Sequence, residues 1–83
     1  MATIWKFPVV IATEHVLMMP KDAQILTVQV QDEKVYLWAL VDPENEREPV
    51  TIRAFGTGWE INHEGVYIGT VQLLTLVWHF FRS

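Results

Sequence analysis

The groups in this chain that could do chemistry are few. Three histidines, one serine, ten carboxylates and a set of aromatics beside scattered cations make up the list. His15, His63 and His79 are widely separated, and none has a second His or Cys at metal-ligand spacing, so no metal site is expected. The only serine is Ser83, at the last position, and the threonines sit where strands want β-branched residues, so no nucleophile with an adjacent base is visible. Glu60 and Glu64 flank a turn and could converge as an acid–base pair, but exposed turn carboxylates are the simpler reading. Gly56-Thr57-Gly58 could cradle a phosphate, yet no helix start follows, so a bulge or bend is expected instead. No catalytic residue and no cofactor is assigned.

The aromatics carry more. Trp5, Trp38, Trp59 and Trp78 fall on different predicted strands, and a core this small needs only one or two of them. Tyr36 and Trp38 share a face with Thr27 and Gln29 on the neighbouring predicted strand. Aromatics interleaved with polar groups are what the centre of a binding interface uses. The other use of that face is a second core layer packed by another sheet, and on residue type alone the core use is preferred. If Arg53 or Lys6 projects beside Tyr36, Trp38 or Trp59, a cation–aromatic pocket for a nucleotide-like ligand results. The candidate binding residues are therefore Tyr36, Trp38, Arg53, Trp59, Thr27 and Gln29.

These side chains must be positioned by strands. β-Branched and aromatic residues dominate, and turn signals recur every eight to twelve residues. A first strand is expected over 3–11, with Trp5, Phe7 and Val9 on one face and Pro8 marking an edge. A second runs 15–19, closed by a turn at Met19-Pro20-Lys21-Asp22 with Pro20 at its second position. The strongest expectation is a hairpin of 24–31 and 34–41 around Asp32-Glu33. A two-residue loop pairs Val30 with Val35, Val28 with Leu37 and Leu26 with Ala39 on one face. On the other it pairs Gln29 with Tyr36, Thr27 with Trp38 and Ile25 with Leu40. Asp-Glu is not ideal for such a turn, so a loop longer by a residue or two is the alternative.

Asp42-Pro43 opens a polar turn, 50–55 forms a fifth strand, and Trp59-Glu60-Ile61 is expected to resume it. Asn62-His63-Glu64-Gly65 is a turn. A last hairpin folds at Leu74-Thr75, pairing Leu73 with Leu76, Val71 with Trp78 and Gly69 with Phe80. Its reverse face pairs Gln72 with Val77, Thr70 with His79 and Ile68 with Phe81. A helix over 71–81 is the competing expectation. The fold class is all-β: one domain over residues 1–83, a small antiparallel sandwich or open barrel of six to seven strands built from hairpins.

Composition bounds the function. The net charge is −4, and the six basic residues are scattered, so a duplex nucleic-acid surface is not expected. There is no cysteine, which removes disulfides and thiolate zinc sites and suits a reducing cytoplasm. Met1-Ala2-Thr3-Ile4 lacks the basic start and apolar run of a signal peptide, and no apolar stretch is long enough to span a membrane as a helix. A chain of this size buries only roughly 60–65 % of its unfolded surface. Edge strands and excess aromatics therefore suggest a homodimer.

Several strings carry a likeness. Thr3-Ile4-Trp5-Lys6-Phe7-Pro8, the run from Ile25 to Gln31, Leu37-Trp38-Ala39-Leu40-Val41-Asp42, Gly56-Thr57-Gly58 and Tyr67-Ile68-Gly69-Thr70 resemble a family of small phage and prophage proteins of unknown function. The resemblance covers nearly the whole chain and implies no catalytic residues. Relatives usually carry glycine in the last hairpin's loop, where this chain has Leu74-Thr75. What the resemblance implies is a class tendency towards binding in the host bacterial cytoplasm. The first expectation is a non-catalytic accessory protein that binds a host protein, including one of antiviral defence. The second is a homo-oligomer that sequesters a nucleotide-like immune signal, with Arg53 and aromatics between subunits. The third is a virion or assembly component.

Overall fold

The computed structural model describes residues 1–62 and 65–83. Seven antiparallel strands form two sheets: β1 (Thr3–Pro8), β2 (His15–Pro20), β3 (Gln24–Gln31), β4 (Lys34–Val41), β5 (Arg47–Gly56), β6 (Val66–Leu73) and β7 (Leu76–Arg82). One sheet has the order β1-β4-β3, the other β2-β5-β7-β6. The architecture is sandwich-like and all-β. No helix forms over 71–81, where β6 and β7 make the second hairpin.

Alternation explains why these segments pair as they do. Val35, Leu37, Ala39 and Val41 on β4 and Val50, Ile52 and Ala54 on β5 all point between the sheets and are buried. Phe80, Met19 and Leu37 are fully buried at the centre. Trp5 and Phe7 pack against this core from β1, with Val9 buried just beyond the strand, as the shared face of those residues predicts. Pro8 lies on an edge strand, where its missing N–H breaks no ladder. Pro49 pairs with Met18 at a stretch of β5 that β7 has not yet reached, so its other side asks for no donor.

Both hairpin loops have two residues, at Asp32-Glu33 and Leu74-Thr75, as expected. Asp32 and Glu33 both take positive φ, 53° and 65°, as the right-handed twist of the strands requires. Leu74 takes φ 57°. Five of the six pairs expected between β6 and β7 are present, and four of the six between β3 and β4. The misses share one cause. A bulge between Ile25 and Thr27 sets Ile25, not Leu26, opposite Ala39, and Gln24, not Ile25, opposite Leu40. A second bulge between Tyr67 and Gly69 sets Tyr67, not Ile68, opposite Phe81. Both bulges lie on sheet edges, where an extra residue bends the strand at little loss of pairing.

Three further expectations are corrected, and a fourth reaches outside the described residues. β1 ends at Pro8 rather than Ile11, because the chain leaves there to cross between sheets: the Val9 N–H donates to the Val35 carbonyl, and the Ala54 N–H donates to the Ala12 carbonyl (both 3.0 Å). The turn after β2 is shifted by one residue. Pro20 is its first position, still paired with Arg47, and the Ala23 N–H closes the turn onto the Pro20 carbonyl at 3.2 Å. Trp59-Glu60-Ile61 does not resume β5. The Trp59 N–H instead donates to the Gly56 carbonyl at 3.1 Å, with Gly58 at φ 87°. The turn expected at 62–65 includes His63 and Glu64, which lie outside the described residues.

The sheets join closely along one side. A Cβ on Gly69 of β6 would stand 2.5 Å from Val28 Cγ1 of β3, so the missing side chain is what lets these edges approach. At one end of the sandwich, two turns that cross between sheets brace each other. The Lys21 N–H donates to the Glu46 carbonyl at 2.7 Å, and Asn45 Nδ2 donates to the Lys21 carbonyl at 2.9 Å. No helix among the described residues is long and apolar enough to cross a membrane.

Candidate functional site

The strand that buries Val35, Leu37 and Ala39 on one face must present Lys34, Tyr36, Trp38 and Leu40 on the other. That other face is the outside of the three-stranded sheet, and no second layer of described residues covers it. The preference for Tyr36 and Trp38 as a core layer is therefore corrected: both are half-buried by their neighbours within the sheet and open to solvent above it. Pairing places Lys6 and Thr27 on either side of Trp38, and Pro8 and Gln29 on either side of Tyr36. Four of the six candidate residues, Thr27, Gln29, Tyr36 and Trp38, thus lie together.

The face has a defined geometry. The Tyr36 and Trp38 rings are tilted at 59° with centroids 6.1 Å apart. The Lys6 ammonium sits 4.2 Å from the Tyr36 ring centroid, and Nζ donates to Gln31 Oε1 at 2.8 Å. A cation over an exposed ring contributes about 0.5–1 kcal/mol, enough to bias the ring's orientation. Gln29 Nε2 donates to Thr27 Oγ1 at 3.5 Å, a long and weak contact that leaves the amide available. Charge is segregated as well. β1, β3 and β4 contain two lysines, Lys6 and Lys34, and no acid, within a chain of net charge −4. Among the described residues the acids are on turns, on connecting segments and on β5.

Arg53 and Trp59 are elsewhere. Arg53 lies on the outer face of the four-stranded sheet, with Nη1 3.3 Å from Glu14 Oε2 and Nε donating to Ser83 Oγ at 3.2 Å. Trp59 folds over Gly56 and meets Trp78 edge-on, with centroids 5.4 Å apart. A Cβ on Gly56 would come within 2.8 Å of the Trp59 ring, so the glycine makes the seat for it. Arg53 and Trp59 do share an open cavity of about 230 Å³, with Thr13, Phe55, Glu60 and Asn62. Lys6 stands over the Tyr36 ring, while Arg53 and Trp59 line one cavity at a separate place.

One polar chain was legible only in part, at His79 opposite Thr70. On the outer face of the four-stranded sheet, His79 Nε2 is 2.8 Å from Thr57 Oγ1 and His79 Nδ1 is 3.0 Å from Thr70 Oγ1. Thr70 Oγ1 is in turn 2.6 Å from the Tyr67 hydroxyl. The Thr70–His79 pairing was readable from the hairpin register, but Thr57 reaches His79 only because β5 lies next to β7. Edge-to-face contacts of Phe81 with Phe55 and Tyr67 surround this chain, at 5.8 and 5.5 Å. A hydroxyl hydrogen-bonded to an imidazole is the first half of a nucleophile–base pair. Here the far nitrogen of the ring meets a threonine hydroxyl, where catalytic histidines have a carboxylate to stabilise the imidazolium. The arrangement ties β6, β7 and the end of β5 together on that face. Among the described residues no three His, Asp or Glu side chains gather to hold a metal ion.

No curated protein and no solved structure matches the chain at a significant level. The model of a family described as a domain of unknown function, DUF7352, matches residues 1–83, and the chain belongs to that family.

Proposed function

We propose that this is a non-catalytic binding protein that holds a protein partner on the outer face of the three-stranded sheet. The observation that carries this reading is the uncovered cluster of Tyr36 and Trp38, flanked by Lys6, Thr27 and Gln29 with no acid on the same strands. Aromatic rings give contact area at small entropic cost, and adjacent amides and hydroxyls supply adaptable hydrogen bonds. The role we propose is that of a small phage accessory protein acting in the host bacterial cytoplasm, where it blocks a host protein such as a component of antiviral defence. The resemblance of its residue strings to phage and prophage proteins supports that setting. Tagged protein is used to capture partners from bacterial lysate. The expected result is a protein retained by the native chain and by a Trp59→Ala variant but lost from Tyr36→Ala and Trp38→Ala. Equal retention by all four would contradict the proposal, and recovery of the chain in purified virions would assign it to the particle instead.

A second reading rests on the cavity that Arg53 shares with Phe55 and Trp59. A guanidinium beside two aromatic rings suits a nucleotide, with a base against the rings and a phosphate on Arg53. Glu14 already compensates that charge, so an anion must displace it. A melting-temperature rise with cyclic or ADP-ribose-type nucleotides, lost in Arg53→Ala, would favour this reading. No shift with any of them removes it.

A further inference from the structure

The end of the sandwich where both hairpins turn carries a knob and a hole. The knob is Leu74, 82 % exposed at the tip of the β6–β7 hairpin and held at φ 57°. Glycine or asparagine adopts that conformation readily, and leucine does not. A residue that holds a strained backbone while most of its apolar side chain stands in solvent gains little packing in its own fold, which points to a use outside it. The hole is an open apolar cavity of about 290 Å³, walled by Val9, Val10, Val35 and Leu73 and rimmed by Lys34 and Tyr36. A dry apolar cavity of about 150 Å³ already holds a benzene ring, so this one has room for a leucine side chain. Val10 in its wall is 59 % exposed.

We propose that two copies of this chain associate end to end about a two-fold axis, each Leu74 seated in the other's cavity. Knob and hole are neighbours on one end, since Leu73 lines the cavity and Leu74 is the next residue. A two-fold rotation between them therefore satisfies both at once, and the contact closes on itself rather than growing into a filament. Charge fits the same operation. Lys34 on the cavity rim follows Asp32 and Glu33 at the β3–β4 turn, so this end carries both signs of charge, as a contact between identical copies needs. Tyr36 rims the cavity and so belongs to both surfaces, whereas Trp38 and Thr27 do not line it; the association is read from Leu74 and Val10, so its test is separate from that of the function proposed above. A dimer would present the face twice.

The test is sedimentation of the full chain from low to high micromolar concentration, with circular dichroism as the check on folding. The native chain is expected to dimerise. Leu74→Asn removes the knob and relieves the backbone, so it should stay folded, melt no lower and weaken association on the order of a hundredfold, because the dimer buries the leucine twice. Val10→Glu, in the wall, should also give a folded monomer. Met18→Glu, exposed on β2 away from this end, should dimerise like the native chain. A native chain that stays monomeric overturns the proposal, as does dimerisation by either Leu74→Asn or Val10→Glu at native affinity. A monomeric chain that pellets with phosphatidylcholine vesicles likewise overturns it and assigns the patch to lipid.

Discussion

Gly69→Ala should unfold this protein more easily than almost any other single methyl addition. A new Cβ would stand 2.5 Å from Val28 Cγ1, whereas carbon atoms in contact prefer about 3.5–4.0 Å. Val28 is buried and, as a β-branched residue, has few rotamers to retreat into. Gly69 cannot move away either, because its cross-strand partner Phe80 is fully buried. Overpacking of this kind costs about 1–3 kcal/mol. Two rigid neighbours place this case near the upper end, about 2–3 kcal/mol, or a melting-temperature fall of roughly 10–20 °C for a domain of this size. Urea unfolding followed by circular dichroism measures it. Val28→Ala removes the clashing methyl, so in that background Gly69→Ala should be nearly neutral, a coupling of at least about 1 kcal/mol. If the two sheets did not meet here, alanine would instead stabilise a strand by about 0.5–1 kcal/mol through lost backbone entropy. Stabilisation, or equal effects in both backgrounds, would refute the packing of β3 against β6.

Other outcomes follow from the same geometry. Replacing Asp32-Glu33 by Asn-Gly supplies the residues that tolerate positive φ at both positions and should raise stability by about 1 kcal/mol in the same urea assay. Gly56→Ala must displace the Trp59 ring, which is 52 % exposed and free to swing, so tryptophan emission and near-ultraviolet dichroism should change with a stability loss under about 1 kcal/mol. His79→Phe breaks hydrogen bonds to Thr57 and Thr70 and should cost about 1–2 kcal/mol, whereas Thr57→Val, losing one exposed bond, should cost less than about 1 kcal/mol.

Local pairing was legible in the sequence because hairpins are decided by neighbours. Val28 opposite Leu37 and Thr27 opposite Trp38 follow from alternation and one turn. The bulges were not legible for a physical reason. At Ile25-Leu26, and again at Tyr67-Ile68, two apolar residues stand side by side, so either register buries a hydrophobic residue and the pattern cannot choose. Both bulged strands, β3 and β6, meet at Val28 and Gly69, a contact between sheets that no local pattern carries. Strand order was likewise hidden, since nothing local says that β5 pairs with β7. That is why Thr27, Gln29, Tyr36 and Trp38, all on one hairpin, could be grouped from the sequence, while Arg53 and Trp59 could not be placed relative to them. The outward direction of Tyr36 and Trp38 also depended on sheet assignment, because either a second layer or solvent could meet a face of that composition.

The most direct test of the central claim is the affinity of a captured partner, measured by titration calorimetry against the native chain and Trp38→Ala. Trp38 contributes to one sheet face without lying between the sheets, so its removal should cost the fold under about 1 kcal/mol. As the centre of an interface it should cost binding about 2 kcal/mol or more, roughly a thirtyfold loss of affinity. A Trp38→Ala protein that melts like the native chain and binds at least thirtyfold more weakly is the predicted result. A variant that binds as tightly as the native chain would contradict the assignment of this face.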